Sequence, residues 1–172
     1  WWLLYLCGSP AISTVPAFAR DCQNAADWLV ADLQGLGFEA SKRQTPGHPM
    51  VVAHGVGDLA GPAEAPHVLF YGHYDVQPVD PLDLWNTPPF EPALEDTAKG
   101  RVIRGRGSSD DKGQLMTFVE ACRAYKEVHG ALPVRISIFF ELSLIHTLRC
   151  PRKGNGRISW AAARSQKNTK EA

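Results

Sequence analysis

Three kinds of pattern that usually announce a function are missing from this chain. The four cysteines, Cys7, Cys22, Cys122 and Cys150, stand far apart and form no Cys-x-x-Cys or Cys/His spacing, which argues against a disulfide framework and against a structural zinc knuckle. A reducing, cytoplasmic setting is the expectation. The apolar opening Trp1–Cys7, with Ala17-Phe18-Ala19 downstream, imitates a signal peptide but lacks the basic leading region, and the chain does not begin with Met. It is also far too short to cross a bilayer, so it is read as the remnant of a truncated first helix and no membrane partner is expected. There is no internal repeat and no low-complexity tract, which excludes solenoid and array architectures.

What is present is ordinary globular material with an uneven charge. The 172 residues are 44% hydrophobic and 21% charged, enough for one domain with a substantial core. The zero net charge conceals a step: residues 1–141 hold 11 Lys and Arg against 17 Asp and Glu, whereas residues 142–172 hold 7 against 1. One part is thus −6 and the other +6, which divides the chain into segments 1–141 and 142–172 of different origin or role.

Apolar spacing predicts an alternating order of elements. Phe18, Cys22, Ala25, Leu29, Leu33 and Leu36 fall near helical spacing and Gly37 is a plausible stop, giving a helix over 17–36. Strands are expected at 38–42, 50–53, 67–71, 101–104 and 133–140. A surface loop is expected over 55–66, and a proline-punctuated excursion over 78–92. Leu115, Phe118, Val119, Cys122, Tyr125 and Val128 mark a second helix that ends at Gly130. The continuous run His67-Val68-Leu69-Phe70-Tyr71 reads as a strand buried on both faces. This order predicts an α/β fold: an open, mostly parallel sheet with helices on both faces.

In such sheets reactive groups collect at the carboxyl ends of the strands. His73 and Asp75 follow the run 67–71, and Asp110 lies in Gly105-Arg106-Gly107-Ser108-Ser109-Asp110-Asp111-Lys112-Gly113, past the run 101–104. Two residues apart on extended chain, His73 and Asp75 share a face, so an imidazole nitrogen can bind a metal while the carboxylate orients the ring. Asp110 adds a hard oxygen donor able to bridge two cations, and Gly105 and Gly107 permit a sharp backbone path. A dinucleotide fingerprint would need Gly where Asp110 stands. A phosphate loop would need Gly before Lys112 and Ser or Thr after it. His48, His54, His67 and His129 are isolated and read as ordinary polar histidines.

Ser13-Thr14-Val15-Pro16, His73-Tyr74-Asp75-Val76-Gln77-Pro78, Leu84-Trp85 with Pro88-Pro89-Phe90-Glu91-Pro92, and Gly105 through Gln114 resemble, in order and spacing, the co-catalytic metallopeptidases of the carnosinase, aminoacylase and glutamate carboxypeptidase type. The resemblance covers roughly 11–141. It implies part of a phosphorylase/hydrolase-like catalytic domain, with His73 a ligand of one metal, Asp110 the bridging ligand and Asp75 the catalytic carboxylate that steers His73. Asp111 falls on a variable position and is read as a solvated or helix-terminal carboxylate. The resemblance further implies two Zn2+ per site, with Mn2+ or Co2+ as substitutes, and a metal-activated water. The implied substrates are dipeptides or N-acyl amino acids, and the implied assembly is a homodimer formed through a lid domain that this chain lacks.

One departure matters. Where the family continues past its strand with Gly and a run of glutamates that supply the general base and a ligand, this chain reads Leu142-Ser143-Leu144-Ile145-His146-Thr147. Glu141 corresponds to the residue before that Gly and does not inherit the base role. Residues 142–172 are therefore expected to be a basic, disordered or frameshifted tail. The spacing of His146 and Cys150 reads as chance. The basic residues Arg149 through Lys170 sit in no nucleic-acid-binding motif, so no nucleic-acid partner is expected. The chain reads as a fragment of a metal-dependent hydrolase, or alternatively as an inactive truncated product with residual metal binding.

Overall fold

The computed structural model describes residues 1–142. Helix α1 (Trp2–Cys7) leads through a 3-10 turn at Pro16–Phe18 into helix α2 (Ala19–Leu36). Cys22, Ala25, Ala26, Leu29, Leu33 and Leu36 form the buried stripe of α2, as the spacing predicts. Gly37 ends the helix at φ 112°, its N–H donating to the Leu33 and Gln34 carbonyls. That left-handed conformation is one glycine adopts at no steric cost.

Strands β1 (Phe38–Arg43) and β2 (Met50–Gly55) follow as an antiparallel hairpin in the register Phe38↔Gly55 to Arg43↔Met50. Strand β3 (His67–His73) comes next, then the hairpin of β4 (Ala93–Thr97) and β5 (Gly100–Arg104). Helix α3 (Lys112–His129) and strand β6 (Arg135–Glu141) complete the described chain. The main sheet is open with the order β1-β2-β6-β3. β3 and β6 are parallel in the register His67↔Arg135 to His73↔Glu141, with α3 in the connection between them.

The α/β class with an open sheet is as expected, but three particulars differ. Only the β3–β6 pair is parallel, because β2 pairs antiparallel with both β1 and β6. The short link between β1 and β2 dictates the first of these pairings, since a parallel crossover needs a dozen residues or more. Second, α2 and α3 cover the same face. Ala40, Ala53, Ile138 and Phe70 stand in one cross-strand row and join the leucines of α2 and Leu115, Met116 and Val119 of α3 in a single core, with Phe70 packed on its margin. Arg123 of α3 donates to both carboxylate oxygens of Asp32 on α2 at 2.7 and 2.9 Å, and Lys126 donates to the Leu36 carbonyl at 2.8 Å. On the opposite face Leu69 is 67% and Tyr71 42% exposed, and no helix covers them among the described residues. The run 67–71 is therefore apolar without being buried on both sides. Third, β5 pairs with β4 in a separate two-stranded sheet. Both strands are half exposed and offer too little apolar surface to join the core.

Lys112 ties the first and third helices together. It is fully buried, and its Nζ donates to the Leu6 carbonyl at 3.0 Å and the Ser9 carbonyl at 2.6 Å, adding a second donor to carbonyls that already accept the Ser9 and Ala11 N–H groups. Burial lowers its pKa from the ordinary 10.5 to about 8, against the opposing charges of Cys7, Asp75 and Cys22. Between those two values the unfolded chain binds more protons than the folded one, so stability rises with pH across that window. The gain in stability of the native chain relative to Lys112→Met should therefore grow as pH climbs from 8 to 10.5, measured as the difference in urea unfolding free energies. A flat difference would show that the amine is not buried in this way.

Candidate active site

The carboxyl end of β3 places His73 beside two carboxylates from different parts of the chain. Its Nδ1 lies 3.0 Å from Asp75 Oδ1, and its Nε2 lies 3.2 Å from Asp110 Oδ1. The extended backbone brings the first pair onto one face, as the two-residue spacing predicts. Asp110 arrives by another route than the expected one. Because β5 is not a strand of the main sheet, Asp110 is delivered from just before α3, whose N-terminus abuts the end of β3. The path there depends on two glycines. Gly107 has φ 84° and accepts a hydrogen bond from the Gly113 N–H, and a Cβ on Gly113 would lie 2.0 Å from the Ser108 carbonyl oxygen. The Asp110–Asp111 peptide is cis.

The surroundings of the three groups differ sharply. Asp75 is 1% exposed, His73 29% and Asp110 83%. The hydrogen bond to Asp75 pushes the His73 pKa up to about 9, opposed by burial and assisted by the charges of Asp75, Asp111 and Asp110. At neutral pH without a metal the ring is therefore an imidazolium that donates to both carboxylates. The Ser13 hydroxyl donates to the second oxygen of Asp75, and His48 Nε2 meets the Ser13 carbonyl at 2.8 Å. Both oxygens of the buried carboxylate are thereby engaged.

Asp111 is the N-cap residue of α3, in keeping with a helix-terminal carboxylate, and its Oδ2 accepts the His73 backbone N–H at 2.9 Å. That contact pins the strand end to the helix start, and nothing in the local sequence announces it. Glu141 faces His73 across the parallel ladder. Its Oε1 accepts the Tyr71 hydroxyl at 2.5 Å, and its carbonyl accepts the Tyr74 N–H at 3.0 Å. An open groove of about 770 Å³ runs beside these groups, lined by Phe70, Tyr71, His73, Asp110, Gln114 and Phe118 among others. Phe70, Tyr71, Phe118 and Ala121 give it apolar surface, and His73, Asp110, Asp111, Gln114 and Thr117 add polar groups, a mixture common in small-molecule sites.

Donors held ~2.0–2.2 Å from one small cation stand a little over 3 Å apart, and the 3.2 Å between His73 Nε2 and Asp110 Oδ1 meets that requirement. The pairing of a nitrogen and a hard oxygen suits zinc, manganese or cobalt. Among the described residues no group of three or more His, Cys, Asp and Glu side chains converges into a cage. The fit is thus that of an open pair of donors backed by an orienting carboxylate.

Residues 69–143 match the family model described as Peptidase family M20/M25/M40. The chain is 32% identical over 141 residues to the Cys-Gly metallodipeptidase dug1 of Schizosaccharomyces pombe, a match covering 77% of this chain and 28% of that protein. It superposes on the dipeptidase Dug1p of Saccharomyces cerevisiae with a TM-score of 0.70 at 28% identity, covering 82% of this chain and 31% of that one. Human carnosine dipeptidase 1 gives a TM-score of 0.66 at 27% identity, covering 81% and 30%. The chain spans about three-tenths of the length of these relatives, and residues 69–143 are the part that matches this peptidase family.

The Asp111 contact generates a stability test that is independent of any metal. Asp111→Ala strands a partly buried N–H of His73 and should cost ~1–3 kcal/mol in urea unfolding. Asp111→Asn, which keeps an acceptor oxygen, should recover most of that loss. Equal losses in the two variants would exclude the hydrogen bond as the cause.

Proposed function

We propose that residues 1–141 form part of the site of a dinuclear metal-dependent dipeptidase or aminoacyl-amide hydrolase. The observation that carries this reading is the meeting of His73 with Asp110 on one side and the buried Asp75 on the other. His73 Nε2 and Asp110 would hold the cation, zinc in the first instance with manganese or cobalt as substitutes, and Asp110 has the exposure to bridge to a second. When bound, such a cation supplies Lewis acidity to a peptide carbonyl and to water. Asp75 holds the Nδ1 proton of His73, which fixes the ring and leaves Nε2 as the donor toward metal. The groove beside Phe70, Tyr71 and Phe118 offers apolar walls for the side chain of a small dipeptide or N-acyl amino acid. The named activities of the relatives, cleavage of Cys-Gly and carnosine dipeptides, support that substrate class. A homodimer belongs to the same reading, by the family likeness alone. A cytoplasmic setting is supported by the free thiols of Cys7, Cys22 and Cys122, and no described helix is long and apolar enough to cross a membrane.

A second reading has its own support: this chain binds metal weakly and does not hydrolyse peptides. Among the described residues only two donors converge, and Leu142-Ser143 stands where the resemblance requires Gly followed by glutamates. Glu141 falls before that Gly in the resemblance and does not inherit the base role, and its Oε1 accepts the Tyr71 hydroxyl. Residues 142–172, the basic segment of the charge step, are on this reading a frameshifted continuation. Apart from Leu142 they lie outside the described residues. The nucleotide sequence past the codon for Glu141 bears on this directly, since a shifted frame encoding Gly-Glu-Glu would establish the origin.

Calorimetric titration with zinc and a Cys-Gly hydrolysis assay on the purified chain separate the two. Weak zinc uptake that His73→Ala and Asp110→Ala each abolish, without turnover, is expected. Uptake unchanged in both variants would remove the site, and zinc-dependent turnover by the native chain would remove the second reading.

A further inference from the structure

We infer that Ser13 is a positioning residue for this site, setting the orientation of Asp75 and through it the ring of His73. The inference deepens the metal-site reading above and rests on it for its functional meaning.

Burial is the first support. Asp75 is 1% and Ser13 5% exposed, so neither has water as a ready substitute partner, and a buried carboxylate oxygen without a donor is costly. The division of labour is the second. Asp75 Oδ1 faces His73 Nδ1 at 3.0 Å, and Oδ2 receives the Ser13 hydroxyl. A carboxylate held at one oxygen can pivot about its terminal bond, a broad and soft torsion. Held at both, it presents Oδ1 in one place. The third support is that Ser13 is itself fixed on two sides, by one backbone pairing and by one histidine. Ile12 bridges to Val76 in parallel fashion, the Val76 N–H donates to the Ala11 carbonyl at 2.9 Å, and His48 Nε2 meets the Ser13 carbonyl at 2.8 Å. Segment 11–13 is therefore held alongside segment 75–76 by an isolated parallel bridge, and the Ser13 hydroxyl reaches Asp75 across 62 residues of sequence.

The consequence runs from Ser13 to the reacting end of the imidazole. With Oδ1 fixed, the Nδ1 proton stays on the Asp75 side and Nε2 points to Asp110. With Oδ2 released, the carboxylate turns, the Nδ1 hydrogen bond loosens and the ring loses its single orientation. Groups that orient a metal-bound histidine typically account for ~10–100-fold in metal affinity. The lower figure applies here because Ser13 acts at one remove.

The test compares the full native chain with Ser13→Ala and Ser13→Thr, the latter keeping the hydroxyl. Two readouts are taken. The first is the His73 Nδ1–H proton resonance in metal-free protein, expected downfield and slow to exchange in the native chain and in Ser13→Thr but broadened away in Ser13→Ala. The second is zinc affinity by calorimetry, expected to fall roughly tenfold in Ser13→Ala and to be restored by Ser13→Thr. If Ser13→Ala does not fold, Ser13→Cys, close in shape and a much weaker donor, takes its place with the same expectations. A Nδ1–H resonance in Ser13→Ala, or in Ser13→Cys, that matches the native chain overturns the inference even if zinc binds. So does loss of the fold in all three variants, which would make Ser13 purely structural. If the native chain takes up no zinc, the metal reading fails by itself, and the resonance comparison still decides whether Ser13 positions the ring.

Discussion

The carboxylate of Asp75 is the constraint around which this structure is arranged. A charge that is 1% exposed cannot be left without partners, and the chain meets the demand with the His73 ring on one oxygen and the Ser13 hydroxyl on the other. Those two partners come from the end of β3 and from the segment after α1, so one group in the interior joins the beginning of the chain to the edge strand of its sheet. Lys112 reinforces the same junction from the third helix by holding the Leu6 and Ser9 carbonyls. Its charge lies near enough to Asp75 to favour the protonated amine, though burial outweighs that and the net shift is downward.

From this junction the layout of the candidate site follows. The end of β3 cannot move away from the start of α3, because Asp111 accepts the His73 N–H. It cannot slide against β6, because Tyr74 donates to the Glu141 carbonyl and Tyr71 to its carboxylate. Residues held by three neighbours suit metal coordination, which rewards a donor pair already spaced for the ion rather than one that must be ordered on binding. Asp110 alone stays largely in solvent at 83% exposure, and it is the group from which a bridge to a second cation is proposed.

Local patterns made much of this legible. The α2 stripe with its Gly37 stop and the shared face of His73 and Asp75 follow from spacings within a few residues, whereas the route by which Asp110 arrives does not. What could not be read were features that depend on partners distant in sequence. The run 67–71 is apolar whether one face of its strand is covered or two, and only the placement of α2 and α3 together shows that one face is left uncovered by helix. The sequence 101–104 makes a good strand whichever sheet receives it, and only the folded chain shows that it pairs with β4 and joins neither β3 nor β6. Ser13 and Asp111 carry no local sign of their contacts. A serine before Thr-Val-Pro and a second aspartate before a helix are common in loops and caps, so the partners that give them meaning appear only once the chain is folded.

The end of β6 supports this junction through both of its last described residues. A general base needs an acceptor oxygen within reach of a substrate proton, yet Glu141 is 6% exposed and directs Oε1 at the Tyr71 hydroxyl, whose pKa burial and that hydrogen bond push well above its ordinary value. A phenol so disfavoured as an anion keeps donating to the carboxylate throughout the neutral range. The next residue, Leu142, is 6% exposed and belongs to the same core as Phe140 and Ile138. An apolar side chain buried at that point anchors the strand end through the hydrophobic effect, ~1.5–3 kcal/mol for a fully buried leucine, and brings no oxygen or nitrogen toward His73. The described residues thus hold His73 between Asp75 and Asp110, and the end of β6 supports that arrangement through Glu141 and Leu142.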